Sequence, residues 1–189
     1  MNPLTHLPHS ARRCALVLAM MGLPLAMPVS AQQVTMETLL DRIQVEDLLT
    51  RYYYDLSEGE SHALADYFTE DALLDVDGTI AKGHAEIAAL YGAGSPREAN
   101  AAYRRGHMLL TNPVIEINGD RAIAHVIWTG VMNEGVGKAP NLYEQGREDT
   151  ELVKVNGKWL ISKRYISSDS GLPDRFDETW EPRGNPLKD

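Results

Sequence analysis

The spacing of apolar and polar positions changes along the chain and divides it into elements. From Met36 to Leu56 the residues Met36, Leu39, Leu40, Ile43, Leu49, Tyr52, Tyr53 and Leu56 recur at steps of three and four. Acids, Arg42 and Arg51 fill the gaps, which predicts one long amphipathic helix. Gly59 ends that pattern, and His62 to Phe68 (HALADYF) predicts a short helix whose Leu64, Tyr67 and Phe68 share a face. The period then changes: Ala72 to Val76 reads as a strand, Asp77-Gly78 as a tight turn, and Thr79 to Lys82 as a short returning strand. His84 to Tyr91 (HAEIAALY) returns to helical spacing, and Gly92 to Asn100, rich in small residues, reads as a mobile loop.

Four long β-type runs follow, Tyr103 to Ile117, Arg121 to Asn133, Leu142 to Val155 and Lys158 to Ser168. Asn118-Gly119 and Asn156-Gly157 join two of the pairs, and Asn-Gly favours a two-residue hairpin because both central residues need positive φ. The middle connection, Glu134 to Asn141, is longer and holds two glycines and Pro140, so an antiparallel meander is expected. The tail 169–189 has three prolines and no periodicity, though Phe176 and Trp180 would pack on the domain or on a partner. Helices first and a curved antiparallel sheet afterwards make an α+β layout, with the sheet wrapped around the long helix and two shorter helices beside it. Such a sheet encloses either a packed core or a cone-shaped cavity.

The first 31 residues do not belong to that layout. Arg12 and Arg13 precede an apolar run from Cys14 to Ala26, and Val29-Ser30-Ala31 is a small-x-small cleavage site. This reads as a secretory signal peptide over 1–31, a domain over 32–168 and a tail over 169–189, with a periplasmic or secreted location. The apolar run falls short of the ~20 residues of a bilayer span and is broken by Gly22 and Pro24, so no membrane association is expected after cleavage.

The whole chain of 189 residues carries 18 basic and 27 acidic side chains and a formal charge of −9. The leader holds two of the arginines and no acid, so the exported part is more acidic still. No basic patch offsets this, which argues against nucleic acid as a partner. The single cysteine, Cys14, lies in the leader, so the exported chain has no thiol for nucleophilic, redox or thiolate-metal chemistry. Its histidines, at 62, 84, 107 and 125, show no metal-binding helical pair. Neither a glycine-rich dinucleotide turn nor a Gly-x-Ser-x-Gly elbow occurs, so neither cofactor nor metal is expected.

Several short motifs carry a resemblance. The helix ends Arg51-Tyr52-Tyr53-Tyr54-Asp55, and Leu64-Ala65-Asp66-Tyr67-Phe68-Thr69-Glu70-Asp71-Ala72 follows. Then come Val76-Asp77-Gly78, Gly83-His84-Ala85-Glu86-Ile87, Gly106-His107 with Leu110-Thr111-Asn112, Asn118-Gly119-Asp120, Gly146-Arg147 and Asn156-Gly157-Lys158-Trp159. Over Leu39 to Ser168 the chain resembles the SnoaL-like branch of the nuclear transport factor 2-like superfamily. That resemblance implies a cone-shaped α+β barrel, a homodimer through the outer face of the sheet, and cofactor-free proton chemistry on a small apolar molecule. Enzymes of the superfamily include scytalone dehydratase, a bile-acid dehydratase, a dehydrochlorinase, polyketide cyclases and γ-formaldehyde lyases of lignin dimers. In the dehydratases a histidine at the start of the third strand works with a carboxylate near the end of the first helix. His107 matches the histidine; Ser57 stands at the usual carboxylate position, leaving Asp55, two residues or about 200° earlier on a helix, or Glu148 from the facing strand.

The residues themselves leave alternatives open. His107 can exchange a proton near neutral pH, or be a strand histidine bonded in the core or facing solvent. Tyr52 or Tyr53 could polarise a substrate oxygen, or be packing residues with satisfied hydroxyls. Arg147, beside Gly146, could hold a polar substrate group or pair with Glu144, Glu148 or Asp149. Trp128 is core or cavity wall, His125 reads as solvated, His84 as a helix start, and Asp75 and Asp77 as facing solvent or a turn. The expected function is a lyase or dehydratase acting on a small aromatic or polycyclic hydroxylated compound. Its alternatives are formaldehyde-releasing cleavage of lignin-type dimers and a non-catalytic binding or dimerisation module.

Overall fold

The computed structural model describes residues 34–58, 61–92 and 105–187. The signal-peptide reading, Cys14, Gly59 and the loop expected after Gly92 lie outside the described residues. Helix α1 spans Met36–Glu58 and leads to a 3-10 segment over Ser61–Tyr67. Strand β1 (Phe68–Val76) and strand β2 (Thr79–Lys82) form a hairpin followed by helix α2 (Gly83–Gly92). Strands β3 (Arg105–Asn118), β4 (Arg121–Asn133), β5 (Asn141–Val155) and β6 (Lys158–Ser170) complete one sheet, ordered β2-β1-β6-β5-β4-β3. The last four form the expected meander, but β1 joins β6 in parallel, so the sheet is mixed. A chain that leaves β1 for β2 and α2 before building the meander must return beside its first strand, and parallel pairing follows from that crossover.

The turns follow local backbone chemistry. Asp77 and Gly78 have φ of 49° and 92°, and Asn156 and Gly157 have 52° and 81°, the double positive φ of a tight hairpin. At the β3–β4 turn the connecting residues are Gly119 and Asp120, and only Gly119 (φ 59°) is left-handed. One glycine at the first central position suffices for the alternative primed turn.

The core sits between α1 and the inner face of the sheet. Val45, Leu48, Leu49, Tyr52 and Tyr53 of α1 are buried against Leu74, Ile115, Ile117, Val126, Leu152 and Ile161. The apolar stripe expected from Met36 onward is buried only from Val45, for Met36, Leu40 and Ile43 are exposed. The early turns are tied down by polar links on both flanks instead. Arg42 Nη1 donates to the Ile115 carbonyl at 2.7 Å, and Asp41 accepts from Lys154 Nζ at 2.5 Å and Trp159 Nε1 at 3.1 Å. The Lys154 hydrogen bond, helped by that from Trp159, holds the Asp41 carboxyl below the usual carboxylate range despite partial desolvation.

Strand β3 contains the irregularity that decides the site. Ile115 and Ile117 face the core after it, whereas Met108 and Leu110 pack on the core before it. The pairing to β4 slips by one residue between Thr111 and Val114, where Asn112 has φ 51° and Pro113 cannot donate to the ladder. One extra residue in a strand exchanges its two faces.

Candidate active site: a tyrosine-lined cavity

A cavity of about 250 Å³ lies between the two helices and the inner face of the sheet. Helix α1 contributes Tyr52, Tyr53 and Leu56, and α2 contributes Leu90 and Tyr91. The sheet supplies Met108, Trp128, Glu144, Ile166 and Ser168, the β1–β2 turn supplies Asp77, and the tail supplies Pro173 and Phe176. The volume lies below the ~300 to 1,000 Å³ of pockets for drug-sized ligands, so it suits a small compound of one or two rings.

Behind the cavity's tyrosines lies a charged cluster. Glu148 of β5 and Arg164 of β6 are fully buried and paired, with Arg164 Nη2 donating to Glu148 Oε1 at 2.5 Å. Thr150 Oγ1 donates to the same oxygen at 2.9 Å, and the Tyr53 hydroxyl donates to Glu148 Oε2 at 2.5 Å. The guanidinium stacks on the Tyr52 ring, with Cζ 3.8 Å from its centroid, and the Tyr52 hydroxyl is hydrogen-bonded to that of Tyr91. Burial opposes the Arg164 charge, but Glu148 and the surrounding phenols outweigh that penalty and hold its pKa above the ordinary guanidinium range. Burial pushes both phenols up: next in size is Tyr91 for Tyr52 and the charge of Glu148 for Tyr53. Both are therefore neutral hydrogen-bond donors at physiological pH and not bases.

Trp128 forms a wall because Gly146, its cross-strand partner, has no side chain; a Cβ there would overlap the indole. The indole Nε1 is buried without a hydrogen-bond partner among the described residues. Asp77 is buried in its turn and accepts from the Ser168 backbone N–H and hydroxyl, each at 2.8 Å.

The structure thus brings Tyr52, Tyr53, Trp128 and Glu148 together on the inner face and leaves three other expected residues elsewhere. His107 is exposed, in a groove of about 470 Å³ with Thr50, Tyr54 and Ser57 that meets the cavity only at the shared lining residues Tyr53 and Met108. Counting back by twos from Ile115 through an unbroken strand would have put it inside; the bulge at Asn112 substitutes Met108. Asp55 lies in a separate groove of about 500 Å³ on the outer flank of α1, also lined by Arg51, Asp66, Lys158 and Trp159. There it accepts a 2.6 Å hydrogen bond from the Tyr67 hydroxyl, and burial followed by that bond pushes the Tyr67 pKa up to about 12. Arg147 points to the outer face, donating to Asp169 at 3.1 Å and to the Arg183 carbonyl at 3.2 Å, so neither the substrate role nor the acids expected as its partners hold.

His125 is also on the outer face but not simply solvated: Nδ1 lies 2.5 Å from Asp149 Oδ1 and 3.1 Å from Asn185 Nδ2. His84 begins α2 as expected, its Nε2 3.0 Å from the Phe68 carbonyl. Asp75 faces the turn as expected, accepting from the Gly78 N–H at 2.9 Å, and Asp77 lies in that turn; both are buried and not solvated, and Asp77 also lines the cavity. The residues missed in the sequence are Tyr91, Met108, Asp77 and Arg164. For Arg164 a signal existed, a single arginine alternating with Ile161 and Ile166, but the bulge at Ser162 was needed to see that it points inward.

The chain belongs to the SnoaL-like domain family, whose model matches residues 37–165. Its fold is that of the nuclear transport factor 2-like superfamily. A Nostoc punctiforme protein with a cystatin-like fold is 26% identical, with a TM-score of 0.60 over 75% of this chain and 98% of that one. An NTF2-like protein of Novosphingobium aromaticivorans is 22% identical, with a TM-score of 0.60 over 77% and 92%. ActVI-ORFA of Streptomyces coelicolor is 17% identical, with a TM-score of 0.60 over 68% and 96%. No curated protein matches the chain in sequence. Family and fold together define a small-molecule-binding or catalytic module.

Proposed function

We propose that the protein binds a small, flat, largely apolar compound carrying a hydroxyl or carbonyl oxygen, within the cavity between the helices and the sheet. The observation that carries this reading is the chemistry of the lining. Aromatic and aliphatic surfaces surround neutral phenols, and the described lining includes the carboxylates of Asp77 and Glu144 but no imidazole or cation. Neutral donors recognise oxygen acceptors without demanding a charge on the ligand, and rings favour a flat partner. The leader-like first 31 residues make an exported location part of the same proposal. Naphthol is the probe. It should bind with a measurable heat and raise the melting temperature, while naphthalene, lacking the oxygen, binds at least about tenfold more weakly. Equal binding of the two, or none, contradicts the reading.

A lyase or dehydratase is the second reading, and the Glu144 carboxylate on the same lining as the phenols favours it. In that case Glu144 would take the substrate's proton from carbon while a lining phenol hydrogen-bonds the departing hydroxyl, which leaves as water with the proton that Glu144 took. Mass spectrometry of hydroxylated aromatic ligands recovered from the protein separates the readings: loss of water or formaldehyde supports the lyase, intact ligand the binder.

A further inference from the structure

The segment after β6 is built into the cavity. Gly171 (φ 69°) turns the chain so tightly against β5 that a Cβ would overlap the Tyr143 carbonyl, and Gly78 (φ 92°) leaves room for the Thr179 carbonyl. Between these two seats the 3-10 turn Asp174–Phe176 delivers a Phe176 ring that is 4% exposed. Beyond them the segment crosses the outer face of the sheet. Trp180 Nε1 donates to the Ser168 carbonyl at 3.3 Å, and Arg183 Nη1 pairs with the buried Asp75 at 2.7 Å. The segment is therefore anchored on the outside of the sheet while one of its side chains forms an inner wall.

We propose that this C-terminal strap is the size-selecting wall of the cavity, with Phe176 fixing how long a ligand can be and the Arg183–Asp75 pair holding Phe176 in place. This deepens the small-molecule reading above and rests on it. Phe176 is suited to the role because it lines the cavity without belonging to the main core cluster, so replacing it enlarges the site without emptying the core. Leu56, Leu90 and Tyr91 of the helices line the cavity too but pack on the core cluster, which leaves the strap as the wall that can change without disturbing the helix-to-sheet packing.

Two readouts test this. With naphthol and the longer three-ring hydroxyanthracene as probes, the wild-type protein should prefer naphthol by at least about tenfold, the scale of discrimination that shape in an apolar pocket provides. Phe176→Ala should abolish that preference, and Phe176→Leu, which keeps an apolar wall, should reduce it. The second readout needs no ligand: Met108, on the cavity lining, should be oxidised by peroxide several-fold faster in Phe176→Ala and in Arg183→Ala. Oxidation of exposed Met36, measured in the same digests, should not change. Preference retained in Phe176→Ala, or Met108 oxidation unchanged in both variants, overturns the proposal. If naphthol binds to no variant while Met108 oxidation still responds, the wall stands and the small-molecule reading fails.

Discussion

The two faces of the sheet handle charge in opposite ways. On the inner face Glu148 and Arg164 are 1% and 0% exposed, bonded to each other and to Tyr53 and Thr150. On the outer face Arg147, Asp169, His125 and Asp149 pair across neighbouring strands with partial access to solvent, and His107 lies exposed. Exposed pairs contribute ~0 to 1 kcal/mol because water screens them. A buried charge held by one main partner depends on that partner for its presence in the interior. The lesson is that the exposed histidines and arginines are not where a ligand would be enclosed; among the described residues the inner face sets the Glu148–Arg164 pair behind its phenols, with the carboxylates of Asp77 and Glu144 on the lining.

The largest test of that contrast removes the buried cation. Arg164→Met leaves Glu148 uncompensated and should cost ~3 to 5 kcal/mol in urea unfolding, whereas adding Glu148→Gln should recover most of the loss. Next, Tyr53→Phe deletes a hydrogen bond to a carboxylate and should cost ~1.5 to 3 kcal/mol, with Glu148 still held by Arg164. A smaller effect belongs to Tyr67 on the outer flank of α1. Its folded pKa of about 12 exceeds the ordinary 10.0, so its stabilisation is complete below about pH 10 and is lost as pH rises toward 12. Unfolding measured across that window should show the fall in wild type and a reduced fall in Asp55→Asn, which removes the carboxylate but leaves the burial. Smallest of all, His107→Ala should change stability by no more than ~0.5 kcal/mol, as expected of an exposed side chain with no hydrogen-bond partner among the described residues.

How far the residues alone reveal this molecule depends on whether the signal is local. The elements were legible because periodicity and turn chemistry act within a few residues: Arg121 to Asn133 is a strand end to end, and Asp77-Gly78 and Asn156-Gly157 make the tight turns their composition demands. Tyr52, Tyr53, Trp128 and Glu148 were placed among the candidates, and all four lie in or directly behind the cavity. The site's proton chemistry was misread at His107 because strand parity is a count, and a count fails at one inserted residue. Asn112-Pro113 is the visible trace of that insertion, an asparagine able to take positive φ before a residue that cannot join the ladder. Arg164 was hidden for the same reason, by the slip at Ser162. The parallel β1–β6 pair and the strap are long-range choices, set by packing that no local window contains.

The exchange of faces at Asn112 can be read directly by placing the same bulky side chain at successive positions of β3. Met108→Trp, checked for folding by thermal unfolding, should abolish naphthol binding by filling the cavity, while His107→Trp should bind naphthol within about twofold of wild type. The reverse pattern, with His107→Trp blocking the ligand and Met108→Trp tolerating it, would contradict the assignment of the inner face.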